Sequence, residues 1–156
     1  MSQRLAHRLA KPVVVLDQDE SVAGAARKLL HGRLRALPVA DSRGRFVGVF
    51  GEREFLCALF PGYLGELKSA AFFTAALDEA IEGRAASAQQ PVKDFMTTDH
   101  VDVPATASDL QLAEIFMHHR VLILPVVDDG VVVGVIDRQA FFEELAGKFL
   151  DRLPPD

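Results

Sequence analysis

Apolar positions along the chain switch between strand-like runs and helix-like spacing, and they do so in the same order twice. Val13-Val14-Val15-Leu16 is a short β-branched run, which predicts a buried strand. From about Ser21, Val22, Ala25, Ala26, Leu29 and Leu30 recur at i, i+3, i+4, i+7 and i+8, so a one-faced helix follows. Ser21 is placed to cap its start and Gly32 to end it. Leu37 to Ala40 and Phe46 to Phe50 read as strands around the turn Asp41-Ser42-Arg43-Gly44. A helix over about Glu52 to Phe60 stops at Pro61-Gly62.

The order then returns. Val101 to Val103 is the first strand, and Ser108 opens a helix with Gln111 placed for a capping box. Leu112, Ala113, Phe116 and Met117 form its apolar stripe. Val126-Val127 and Val131 to Ile136 flank Asp128-Asp129-Gly130, a tight-hairpin signal, and Gln139 to Lys148 is the last helix. Leu153-Pro154-Pro155-Asp156 reads as a frayed tail.

Residue by residue, the two passes coincide. At an offset of 87, Ser21, Ala26, His31, Arg33, Leu37-Pro38-Val39 and Asp41 fall on Ser108, Ala113, His118, Arg120, Leu124-Pro125-Val126 and Asp128. One residue drops out in the turn, after which Val47-Gly48-Val49 and Phe55 fall on Val133-Gly134-Val135 and Phe141. The chain is therefore read as α/β (α+β): two βαββα repeats at 11–60 and 92–148, with a helical insertion and linker at 61–91. A unit of about 50 residues buries little surface alone. The expectation is sheet-to-sheet packing of the repeats with pseudo-twofold symmetry, leaving clefts between them. In the insertion, Tyr63, Leu67, Ala70, Ala71, Thr74, Leu77 and Ile81 predict a helix over Tyr63 to Glu82, and Gly83 to Pro91 a polar linker.

Composition narrows the function classes. The 156 residues are 49% hydrophobic and 25% charged, as in an ordinary globular protein. A net charge of −5 opposes general nucleic-acid binding. No stretch approaches the roughly 20 apolar residues that span a bilayer, so no membrane partner is expected. The lone Cys57 forms no internal disulfide, and with no signal peptide at the N-terminus the expected location is cytoplasmic. His118-His119 beside Asp128-Asp129 is a poor metal site, because adjacent helix positions diverge by about 100°. Neither a nucleophile–base set nor a metal cluster stands out, so no enzyme is expected.

The order strand, helix, LPVxD, turn, hhGhh (h, an apolar residue), helix resembles the CBS domain, and the pair resembles a Bateman module. Val92-Lys93-Asp94-Phe95-Met96-Thr97 is similar to the entry that commonly opens such a unit. The resemblance implies a non-catalytic regulatory module that binds AMP, ADP, ATP or S-adenosylmethionine in the clefts between repeats; the apolar helix faces left over predict a homodimer, and a protein partner is a further expectation. It also implies a nucleotide motif, G-h-h-[ST]-x-x-[DN], whose hydroxyl meets phosphate and whose acid meets ribose. Both repeats depart from it. The first reads Gly48-Val49-Phe50-Gly51-Glu52-Arg53-Glu54, with glycine for the hydroxyl residue and glutamate for the aspartate. The second reads Gly134-Val135-Ile136-Asp137-Arg138-Gln139-Ala140, where Asp137 would repel phosphate while capping the helix, Arg138 could offset it, and Ala140 accepts nothing.

Candidate ligand residues are thus Gly48, Gly51, Glu52, Arg53, Glu54 and Arg33 in the first repeat, and Gly134, Asp137, Arg138 and Arg120 in the second. Each has a structural alternative. Gly48 and Gly134 either admit a ligand or mark a bulge or strand crossing. Glu52, Arg53 and Glu54 are ligand groups or a solvated first turn. Arg33, Arg120 and the weaker Arg35 reach a phosphate or another subunit, or lie along a solvated connection. Cys57 reads as a small buried hydrophobe. Decayed nucleotide sites in a structural or partner-binding dimer are the alternative for the whole chain.

Overall fold

The β-branched and helix-spaced stretches fold into two units in a computed structural model that describes residues 4–60 and 77–155. One unit is Val15–His100; the other joins the chain up to Val14 with Val101 onward.

In the first unit, β1 (Leu16–Asp17) lies parallel to β2 (Ala36–Ala40), which pairs antiparallel with β3 (Phe46–Gly51). β1 is shorter than the Val13–Leu16 run predicts: only Leu16 and Asp17 reach a partner, opposite Val39 and Ala40. β2 is buried throughout, Pro38 included. α2 (Val22–Gly32) is capped by Ser21 Oγ, which accepts from Gly24 N at 3.0 Å. Its end differs from expectation. Gly32 stays helical, and Arg33 takes the left-handed position at φ 51°. Leu34 N donates to Leu29 O at 3.0 Å, a Schellman-type closure that offsets the roughly 1–2 kcal/mol cost of a left-handed non-glycine residue.

Asp41, the acid of LPVxD, closes the β2–β3 turn. Its Oδ1 accepts from Arg43 N at 2.8 Å and Arg45 N at 3.0 Å, and the amides of Arg45 and Arg43 hold its carboxyl below the usual range. α3 (Glu52–Leu59) follows β3 directly. Of the helix predicted over Tyr63 to Glu82, residues 63–76 lie outside the described residues; the remainder is α4 (Leu77–Gly83). 3-10 turns at Ala85–Gln89 and Val92–Asp94 lead to Thr97, which bridges Val49 antiparallel through both backbone hydrogen bonds.

The second unit repeats this plan. β4 (Ile123–Asp128) and β5 (Val131–Asp137) form a hairpin whose two-residue turn, Asp129-Gly130, has φ 48° and 79°, the type I′ signature. The strand expected at Val101–Val103 is reduced to one parallel bridge, Val103 to Val126, the counterpart of Leu16 to Val39. Ser108 and Gln111 complete the capping box of α5 (Asp109–His118). α6 (Arg138–Leu150) closes the chain.

Lys11 bridges Val135 as Thr97 bridges Val49. The segment ahead of each repeat's first strand therefore completes the sheet of the other repeat. α1 (Leu5–Leu9) accompanies Lys11, and Leu5 and Ala6 are buried with Leu112, Phe116, Ile136 and Phe141. That helix was not legible from spacing: five residues contain too few turns to show a period.

Candidate functional site

The glycine of hhGhh sits beside a bulge in both repeats. Val39 pairs with Gly48 and Ala40 with Phe46, leaving Val47 unpaired; Val126 pairs with Gly134 and Val127 with Val132, leaving Val133 unpaired. The bulge turns the strand under the crossing segment. A Cβ on Gly48 would come within 2.8 Å of Thr97 O and 2.9 Å of Met96 Sδ; on Gly134 it would lie 3.2 Å from Lys11 O. Of the two readings of these glycines, the bulge and crossing are what surrounds them.

Gly51 is also hemmed in by backbone. A Cβ there would lie 2.5 Å from Arg35 O and 2.6 Å from Ala36 Cβ, so the missing side chain is what lets β2 and β3 close at the start of α3. Two amides at this helix start are already used. Glu52 N donates to Arg35 O at 3.0 Å, and Gly51 N donates to Glu54 Oε2 at 2.9 Å. Glu54 Oε1 accepts from the Thr97 hydroxyl at 2.6 Å. The half-buried Glu54 carboxylate thus ties the helix start to the crossing segment, and each oxygen keeps a further acceptor direction. Thr97 belongs to this constellation but was not among the sequence candidates. The signal was available in its place at the end of the repeat-opening motif, at an offset of 86 from Lys11.

The structure divides the first repeat's candidates into two groups. Gly48, Gly51 and Glu54 meet at the Thr97 crossing. Arg33 and Glu52, joined by Arg35, line a separate pit of about 380 Å³ together with Ala26, Leu29, Leu30, Leu34 and Phe55. Arg53 is exposed on the first turn of α3. Cys57, expected to be buried, is half-buried.

In the second repeat, Asp137 caps α6: its Oδ1 accepts from Gln139 N at 2.8 Å and Ala140 N at 3.2 Å. The amides that would meet a phosphate there already hold a carboxylate. Arg138 donates from Nη1 to His119 O at 3.1 Å, and its guanidinium lies 5.8 Å from the centroid of the Phe116 ring. Arg120 is exposed on the connection after α5. Among the described residues, no three His, Cys, Asp or Glu side chains gather where they could hold a metal ion, and no helix is long and apolar enough to cross a membrane.

Residues 7–60 and 92–147 match the profile of the CBS domain. Solved structures agree on the fold. The CBS domain of a CBS-domain-containing membrane protein from Sphaerobacter thermophilus is 25% identical, with a TM-score of 0.70 over 90% of this chain and 86% of that one. The CBS-pair protein CBSX2 of Arabidopsis thaliana is 20% identical, with a TM-score of 0.72 over 98% of this chain and 100% of that one; CBSX2 is also known in complex with AMP. The CBS domain pair of protein MJ0100, in complex with 5′-methylthioadenosine and S-adenosyl-L-methionine, is 18% identical, with a TM-score of 0.67 over 93% of this chain and 97% of that one. No curated protein sequence matches the chain.

Proposed function

Because this chain belongs to the CBS domain family and carries the domain twice, we propose that it is a non-catalytic, cytoplasmic regulatory module that binds an adenosyl ligand at its first repeat. The ligand class follows from relatives of the same fold that hold AMP, 5′-methylthioadenosine or S-adenosylmethionine. The observation that carries the choice of repeat is the contrast between the two helix starts. Asp137 fills its own helix start with a carboxylate, whereas the first repeat has Gly51 at that position and keeps its acid, Glu54, one turn in.

In this reading Glu54 presents its remaining acceptor directions to the two ribose hydroxyls while holding Gly51 and Thr97 in place. Arg53, exposed one residue away, supplies charge for a phosphate. Ligand and crossing segment then share one carboxylate. Binding acts on the tie between α3 and the residues leading into the second repeat, and a response follows if two states of that tie differ in affinity. The module works as a homodimer and passes the response to a protein partner.

A second reading is favoured by the engagement of both Glu54 oxygens and of the Gly51 and Glu52 amides. In it the sites have decayed and the protein is a structural or partner-binding dimer. Thermal unfolding with AMP, ADP, ATP and S-adenosylmethionine separates the two. At a ligand concentration about 100 times Kd, the first reading predicts about 2.7 kcal/mol of added stability. No shift with any of the four at millimolar concentration favours the second.

A further inference from the structure

Glu54 is a methylene longer than the aspartate of the motif, so its carboxylate has an extra rotor to be ordered before it can meet a ligand. Two donors order it. Gly51 N holds Oε2 at 2.9 Å, and the Thr97 hydroxyl holds Oε1 at 2.6 Å, within the roughly 2.5–2.7 Å of a hydroxyl bonded to a charged carboxylate. A bond on each oxygen fixes the plane of the group as well as its position. The Gly51 amide belongs to the helix start that Glu54 itself sits on, whereas the hydroxyl comes from a distant part of the chain.

Backbone fixes the place of that hydroxyl. Val49 N donates to Thr97 O at 3.0 Å and Thr97 N to Val49 O at 2.9 Å. Gly48, lacking a side chain, lets the crossing segment lie this close. Thr97 is also β-branched, so its χ1 is restricted and the donor has little freedom left to lose. In the second repeat Lys11 crosses where Thr97 does, Asp137 stands at the place of Gly51, and Ala140 at the place of Glu54. The hydroxyl and the distal acid are absent together there, and the Asp137 carboxylate serves the amides of its own helix.

We infer that Thr97 is a positioning residue of the first-repeat site: its hydroxyl sets the Glu54 carboxylate in the orientation that meets the ribose hydroxyls. It acts through Glu54, and it is what allows the longer acid to stand where the motif has aspartate. The inference rests on the adenosyl reading of this site and adds to it a residue outside the motif.

Isothermal titration of AMP and S-adenosylmethionine into full-chain variants tests it, with circular dichroism melting confirming that each is folded. Thr97→Val removes the hydroxyl and keeps the β-branch; it is expected to weaken binding about fivefold, the effect of leaving one long side chain to be ordered by the ligand. Thr97→Ser, which keeps the hydroxyl, is expected to stay within about twofold of wild type. In a Glu54→Asp background, where the shorter acid is withdrawn from the hydroxyl, adding Thr97→Val is expected to change nothing further. The same fivefold loss in that background would mean that the hydroxyl touches the ligand itself, and would overturn the positioning role. Wild-type affinity in Thr97→Val, or tighter binding because Oε1 has been released, would also overturn it while leaving the adenosyl site standing. Absence of binding to the wild type would overturn that site and the role of Thr97 together.

Discussion

At the scale of single residues, the same letters of the motif do different work in the two repeats. The glycines of hhGhh lie under a crossing segment, with a carbonyl oxygen 2.8 Å from an added Cβ at Gly48 and 3.2 Å at Gly134. Their presence was legible in the sequence; the crossing above them was not, because the residues that cross, Thr97 and Lys11, belong to stretches far off in the chain. Gly51 shows the same limit. Its close neighbours, Arg35 and Ala36, are set by strand register, which no local pattern reports. Gly51→Ala is expected to destabilise by about 2 kcal/mol or more, since backbone must move to admit a Cβ. Gly147→Ala, inside α6 with open space around it, is expected to gain about 0.5–1 kcal/mol. Urea denaturation of both variants checks the pair, and equal effects would contradict the packing described for Gly51.

At the scale of elements, periodicity located nearly every helix and hairpin, and capping chemistry set their starts. Ser21, Ser108 and Asp137 cap as their types and positions predict. Two kinds of element were misread. The first strand of each repeat is shorter than its apolar run, because a strand ends where its partner does and burial continues beyond it. α1 went unseen because a five-residue helix has no measurable period, yet its Leu5 is 1% exposed within the second unit's core. The N-terminal helix is therefore part of that core. Leu5→Ala is expected to cost about 2–5 kcal/mol, whereas Leu30→Ala, at a position 80% exposed, stays within about 0.5 kcal/mol. Comparable midpoints for the two variants in guanidinium unfolding would contradict the burial of α1.

At the scale of the whole molecule, duplication gives the chain two similar frames, and the differences between them carry the functional reading. One helix start is closed by its own aspartate; the other is built on a glycine and a glutamate shared with Thr97. One pair of helices leaves an apolar pit beside Phe55; the other packs two phenyl rings, Phe116 and Phe141, against each other. The repeat and the motif departures were visible in the sequence. The division of the first repeat's candidates between a crossing and a pit was not, because Glu52 and Glu54 differ by two positions on one helical turn and only the fold decides which way each faces. The measurement closest to the central claim is isothermal titration of AMP and S-adenosylmethionine into the wild type, Glu54→Ala and Arg138→Ala. One ligand is expected to bind at one site per chain, with affinity reduced at least about tenfold by Glu54→Ala, the loss of a charged hydrogen-bond acceptor, and little changed by Arg138→Ala. Absence of binding to the wild type, or the same affinity in both variants, would contradict the assignment of an adenosyl site to the first repeat.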